Sequence, residues 1–197
     1  MCVRRKILAV FSVLLLSVLS ACASTPDKQV YAEITFSHLP PLRLNVGEIR
    51  VVNAYKSPLK PPNVEHELPV KIDQSVRRWV ADRLQAVGKS DAFAVVTILD
   101  ASVVEKSLKK TTGLSGFFTN DQSEEYVFRV EAELKVETVN GAKGLATAVA
   151  IQRKTVPENM TLNERDQMYF EKTEALMRDF NAEMEKNIRT FLGAYLR

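Results

Sequence analysis

Of the residue types able to do nucleophilic, redox or metal chemistry, this 197-residue chain carries two cysteines and two histidines. Cys2 stands just ahead of a basic cluster, and Cys22 follows Leu19-Ser20-Ala21. His38 and His66 both lie near prolines, in stretches that read as loops. His66 sits in Glu65-His66-Glu67, a grouping of donors suited to a divalent cation. Adjacent side chains in a strand point apart, however, and a mononuclear site needs further ligands, so we assign no metal site. No Gly-rich phosphate loop follows a strand, and there is no G-x-S-x-G elbow. Carboxylates are plentiful but fall on helix surfaces and an outward strand face, where solvated charge is expected. The residues therefore point to a protein that is not an enzyme and holds no cofactor.

The chemistry that remains is at Cys22, and the residues ahead of it say what kind. Arg4, Arg5 and Lys6 precede an apolar run from Ile7 to Leu19, and the small residues Ser20 and Ala21 lead into the cysteine. A charged n-region, a short h-region and a small-residue cleavage zone are the layout of a secretory signal. The apolar run makes roughly 20 Å of helix, too short for a hydrocarbon core of about 30 Å. Leu19-Ser20-Ala21-Cys22 resembles the lipobox of bacterial lipoproteins. The resemblance implies diacylglycerol on the Cys22 sulfur, cleavage that removes residues 1–21, and acylation of the new amino terminus. One acyl chain holds marginally, whereas two or three hold for practical purposes irreversibly. Ala23, rather than Asp, at the second mature position resembles lipoproteins sent on to the outer membrane, lipid-anchored on its periplasmic side. Cys2 leaves with the signal and Cys22 is consumed by lipid, so no thiol is left for a disulfide, a metal or catalysis.

The same segment accounts for the net charge. The chain is formally +3, but Arg4, Arg5 and Lys6 are the whole excess, and without them 24 basic residues balance 24 acidic ones. Nucleic-acid binding loses its only compositional support.

Residues 22–41 read as a lipidated tether, small and polar from Ala23 to Gln29, with weak alternation over Val30–Phe36 that offers a short extra strand. Residues 42–197 read as a single domain. Leu42, Leu44 and Val46 share one apolar phase and Ile49, Val51 and Tyr55 the other, with Gly47 between: a bulged strand or two short ones. Pro69–Val87 reads as a helix buried through Ile72, Val76, Trp79, Val80, Leu84 and Val87, with Gly88 as its cap. Arg77, Arg78 and Arg83 fall mostly off that stripe, as a solvated face or a binding patch. Phe93–Lys106 is a near-continuous apolar run, which fits a strand that is central or covered on both faces. Tyr126–Val139 alternates cleanly, and the Asn140-Gly141 turn predicts a hairpin to Leu145–Val156. There Ala146, Ala148 and Ala150 make one face small, which suits either a close neighbour or a thin solvent face. Thr161 and Glu164 have the spacing of a capping box, and the apolar period runs from there to about Tyr195, predicting a helix of about 50 Å.

The order is then β-α-β-β-β-α: an α+β two-layer sandwich with an antiparallel-rich sheet and two helices on one face, the C-terminal one long. This order resembles the lipopolysaccharide-assembly lipoprotein and the auxiliary lipoproteins of ABC-type transporters, at the level of fold. The expected function is that of a non-catalytic envelope lipoprotein, an outer-membrane-anchored accessory or scaffold subunit in envelope assembly or lipid transport. It would bind the membrane through its lipid and an envelope protein as partner. The alternative is a lipid or small-ligand carrier using a helix–sheet cleft. One loop is out of place: Leu114, Phe117 and Phe118 stand among flexible polar residues just after Lys106, Lys109 and Lys110. They make a membrane or partner contact, or they fold back to plug the core.

Overall fold

A computed structural model describes residues 29–89, 91–108, 122–157 and 159–197. The chain divides into two compact units, Met1–Val30 and Tyr31–Arg197, and the second holds every element named here. In order these are β1 (Leu42–Leu44), β2 (Glu48–Asn53), α1 (Ile72–Arg83), β3 (Leu84–Ala86), β4 (Ala92–Ser107), β5 (Gln122–Thr138), β6 (Lys143–Pro157) and α2 (Leu162–Phe191). A 3-10 turn over Gly193–Tyr195 follows α2. The result is an α+β fold whose long C-terminal helix packs on the sheet. The main sheet has the order β2-β4-β5-β6, with β2 parallel to β4 and the remaining pairs antiparallel.

The phase change at Gly47 resolves as two short strands belonging to two different sheets. β1 runs parallel to β3, and β2 runs parallel to β4. This pairing also ends the first helix early. The expected helix to Val87 stops at Arg83, because Leu84–Ala86 leaves it to pair with Leu42–Leu44. Gly88 is not a left-handed cap. A Cβ there would lie 2.4 Å from the Asn45 carbonyl carbon and 2.5 Å from the Val46 nitrogen, so glycine is what allows the two backbones to approach. The expected strand over Val30–Phe36 is also absent. Residues 31–36 join no ladder and lie as a strap that sends Ile34 and Phe36 inward.

β4 explains its own apolar run. A bulge between Ile98 and Asp100 reverses its phase, so Ala94, Val96 and Ile98 face the core before it and Ala101 and Val103 after it. The strand is central, but its other face is not covered: Phe93 and Leu99 stay partly exposed. β5 alternates as expected, with Tyr126, Phe128, Val130, Ala132, Leu134 and Val136 fully inside. The Asn140-Gly141 turn closes the hairpin with Gly141 at φ 80°. On β6 the three alanines lie beneath α2, settling the small face as a site of close approach; the Asn187 amide reaches over to donate to the Thr147 carbonyl at 2.7 Å.

The capping box forms in full, with Thr161 Oγ1 accepting from the Glu164 amide and the Glu164 carboxylate from the Thr161 amide. α2 ends at Phe191, one turn before the expected Tyr195, and the chain then turns back to β1. There the Asn45 amide donates to the Tyr195 carbonyl at 2.7 Å, and the Arg197 amide to the Arg43 carbonyl at 3.0 Å. Between α2 and the sheet, Phe128, Leu134, Leu176, Phe180 and Met184 are all fully buried. Among the described residues these side chains fill the helix–sheet interface.

Candidate functional site

Cys22, Leu114, Phe117 and Phe118 lie outside the described residues. Of the basic residues expected beside the aromatic loop, Lys106 is described and sits 3.9 Å from Glu125. Glu65-His66-Glu67 is split by the fold. Glu65 is drawn inside, 7% exposed, while His66 stands 3.8 Å from Glu67 on the outside. Among the described residues no three His, Cys, Asp or Glu side chains gather to hold a metal ion.

Glu65 forms the floor of a 210 Å³ cavity lined also by Asn53, Tyr55, Ser57, Lys71 and Asp73. Its carboxylate accepts from Tyr55 Oη at 2.6 Å, Ser57 Oγ at 2.5 Å, Asn63 Nδ2 at 3.3 Å and the Val103 amide at 3.2 Å. Burial pushes its pKa up, but the bonds from Ser57, Tyr55 and the Glu65 and Val103 amides outweigh that and hold it below the ordinary value. Burial in turn, together with the bond to Glu65, raises Tyr55 well above the usual phenol range. Four donors saturate the carboxylate, so its role is to tie the Tyr55–Asn63 loop to β4. A carboxylate depressed in the fold stabilises it above the unfolded pKa of about 4.3 and ceases to do so as pH falls through the folded value. Glu65→Gln is therefore expected to be less stable than the parent at pH 7, with the gap closing as pH drops below about 4. Urea midpoints across that range check this, and an equal gap at every pH would contradict it.

Arg83 corrects the expectation of a solvated arginine face. It is 1% exposed. Its Nε donates to Asn181 Oδ1 at 3.0 Å, and its terminal nitrogens bond the Pro40 carbonyl and the Glu185 carboxylate. Arg77 and Arg78 are exposed, and Arg78 pairs with Asp82 and Glu33. A last turn that must leave the helix for β3 turns the Arg83 side chain inward, which helical periodicity alone does not show.

At the far end of the sheet, Tyr126 Oη bonds Glu124 at 2.7 Å and Glu105 at 3.1 Å, with the Arg165 guanidinium 6.0 Å from the Tyr126 ring. Tyr169 packs edge-on against both Tyr126 and Phe128, and its burial pushes the phenol up to about 12.

A groove of 530 Å³ lies between the 31–39 strap and α2. Ile34, Phe36, Leu39 and Phe170 supply apolar wall, and Glu33, Glu174, Arg178 and Asn181 the polar part. Asp82 fastens the strap, accepting from Thr35 Oγ1 at 2.7 Å and the Phe36 amide at 2.8 Å. Burial alone would raise the Asp82 pKa, but the bonds from Thr35, Phe36 and Arg78 bring it below the ordinary value. Tyr31 packs against Phe170, ring centroids 5.0 Å apart. Sequence reasoning missed this groove. Its one trace was the weak alternation over Val30–Phe36, which reads equally as a strand.

No family model matches the chain, and no curated protein matches it. Among solved structures it is similar to a minor lipoprotein from Acinetobacter baumannii, 12% identical over 79% of this chain and 96% of that one, TM-score 0.39. It is also similar to the rare lipoprotein B from Shewanella oneidensis, 11% identical over 73% and 96%, TM-score 0.38. A third is an uncharacterized lipoprotein B from Nitrosomonas europaea, 10% identical over 83% and 92%, TM-score 0.42. The likeness is one of fold, to proteins named as lipoproteins, and at these scores it assigns neither a family nor a task.

Proposed function

We propose that this chain is a non-catalytic, lipid-anchored envelope protein on the periplasmic side of the outer membrane, an accessory or scaffold subunit in envelope assembly or lipid transport. The observation that carries the reading is Leu19-Ser20-Ala21-Cys22 behind Arg4-Arg5-Lys6 and an apolar run too short to span. It is supported by the described residues, in which no helix is long and apolar enough to cross a membrane. The filled helix–sheet core favours a scaffold over a carrier working through a cleft there. A partner has a surface to use: Leu145, Val149 and Ile151 stand partly exposed along β6, the sheet's long edge strand. The saturated Glu65 cluster offers no reacting group. Leu114, Phe117 and Phe118 are the residues we assign to a second contact with membrane or partner.

Cys22→Ser tests the anchor. The variant is expected to leave the membrane fraction for the soluble periplasm and to lose incorporation of labelled fatty acid. Retention in the membrane with an unchanged mass would overturn the reading.

A further inference from the structure

The groove between the strap and α2 has a size, a wall and a pair of charges that together describe an occupant. The groove has a volume of 530 Å³ and is open to solvent along one side. That volume lies within the range of ordinary ligand pockets. The wall is apolar on both sides, from Ile34, Phe36 and Leu39 on the strap and Phe170 on the helix.

The charges are set unusually. Glu174 and Arg178 stand one helical turn apart, acid before base, which is the favoured order for an ion pair. Elsewhere on α2, residues so spaced do bond: Gln167 to Glu171 at 2.9 Å, Asn187 to Glu183 at 3.0 Å and Arg189 to Glu185 at 2.7 Å. Glu174 and Arg178 bond neither each other nor any other described residue, and both line the groove. An exposed anion and an exposed cation, one helical turn apart and not bonded to each other, match a headgroup that carries both signs.

We propose that this groove binds one single-chain zwitterionic phospholipid, with its acyl chain along Ile34, Leu39 and Phe170, its phosphate on Arg178 and its ammonium on Glu174. A fatty acid fills the wall as well, but it brings no cation for Glu174 and sets its carboxylate near Glu33 and Glu174. Supply rests on the reading of Cys22 as lipidated.

The test uses the mature chain carrying Cys22→Ser, prepared without lipid and titrated with palmitoyl lysophosphatidylethanolamine below its micelle concentration. Native mass spectrometry reads stoichiometry. Trp79, the single tryptophan, reads occupancy, since its indole N–H bonds Asn181 on the groove wall at 2.8 Å. The expected result is a saturable one-to-one adduct with a shift in Trp79 emission. Binding is expected to weaken about tenfold or more in Arg178→Glu and for palmitate in place of the lysolipid. Ala32→Phe, placed at an exposed lining position, is expected to block binding with an unchanged thermal midpoint. No saturable adduct, parental affinity in both variants, equal binding of palmitate, or a preference for an extended apolar peptide would each overturn the proposal. The protein tested has no anchor, so these outcomes stand apart from the membrane fractionation of Cys22→Ser, which tests lipidation alone.

Discussion

Arg83→Ala is expected to lower the unfolding free energy by about 3–5 kcal/mol, the cost of breaking a buried ion pair by removing one partner. Arg83 is almost wholly enclosed, and it bonds three acceptors in two parts of the chain distant from it in sequence: Pro40 after the strap, and Asn181 and Glu185 one turn apart on α2. Truncation removes the bonds to the Pro40 carbonyl and the Glu185 carboxylate outright, while the Asn181 side-chain oxygen keeps its bond from the Trp79 indole at 2.8 Å. Glu185 loses less, because it keeps both of its bonds from Arg189, at 2.7 and 3.0 Å. Set against a total stability of about 5–15 kcal/mol for a domain, the loss is large. Denaturant titration of parent and variant measures it. Arg83→Lys is expected to recover little, since one ammonium on a flexible stem does not reproduce a planar fork aimed at three acceptors. A loss under about 1 kcal/mol in Arg83→Ala would mean that the guanidinium is solvated and the pair behaves as a surface one.

Trp79→Ala is expected to cost about as much, 3–5 kcal/mol, by a different mechanism. The indole is fully buried and meets the Phe180 ring edge-on, with centroids 5.4 Å apart at 77°. Its removal opens a void where α1 meets α2. The indole N–H also donates to Asn181 Oδ1, the same oxygen that accepts from Arg83. Trp79→Phe separates the two contributions: it keeps most of the packing and gives up the bond, for about 1 kcal/mol. Equal losses in Trp79→Phe and Trp79→Ala would assign the whole effect to the hydrogen bond and overturn the packing account. Because both donors converge on one oxygen, Arg83→Ala and Trp79→Ala are expected to be non-additive by about 0.5–3 kcal/mol in a double-mutant cycle.

These two residues show how far sequence patterns reach. Trp79 was legible as core because helical spacing placed it on the stripe with Ile72 and Val76. Arg83 was not, because its burial depends on three acceptors brought together only in the folded chain. The capping box of α2, the β5–β6 hairpin and the inward face of β5 were legible for the same reason as Trp79: each is written in residues a few positions apart. The end of α1 was not, since Leu84–Ala86 continues a helical pattern and leaves it only because β1 is there to pair with. The apolar run of β4 read as a strand either central or covered on both faces; it is central, and a bulge between Ile98 and Asp100 accounts for the rest of the run.

For the candidate site the division is similar. Arg4-Arg5-Lys6, the apolar run and Leu19-Ser20-Ala21-Cys22 are a local pattern along the chain, and the proposed address and the proposed electroneutral mature composition rest on it alone. The fold class also followed from sequence, because period and turn chemistry are local properties. Only the tertiary structure decided that Glu65 turns inward and is saturated, that the alanines of β6 admit α2, and that the described side chains between α2 and the sheet are buried. It also decided that a strap without ladder partners leaves a groove against Phe170, Glu174 and Arg178. These are outcomes of contacts between residues tens to more than a hundred positions apart, and burial at such contacts is shared between partners, so no single segment encodes it.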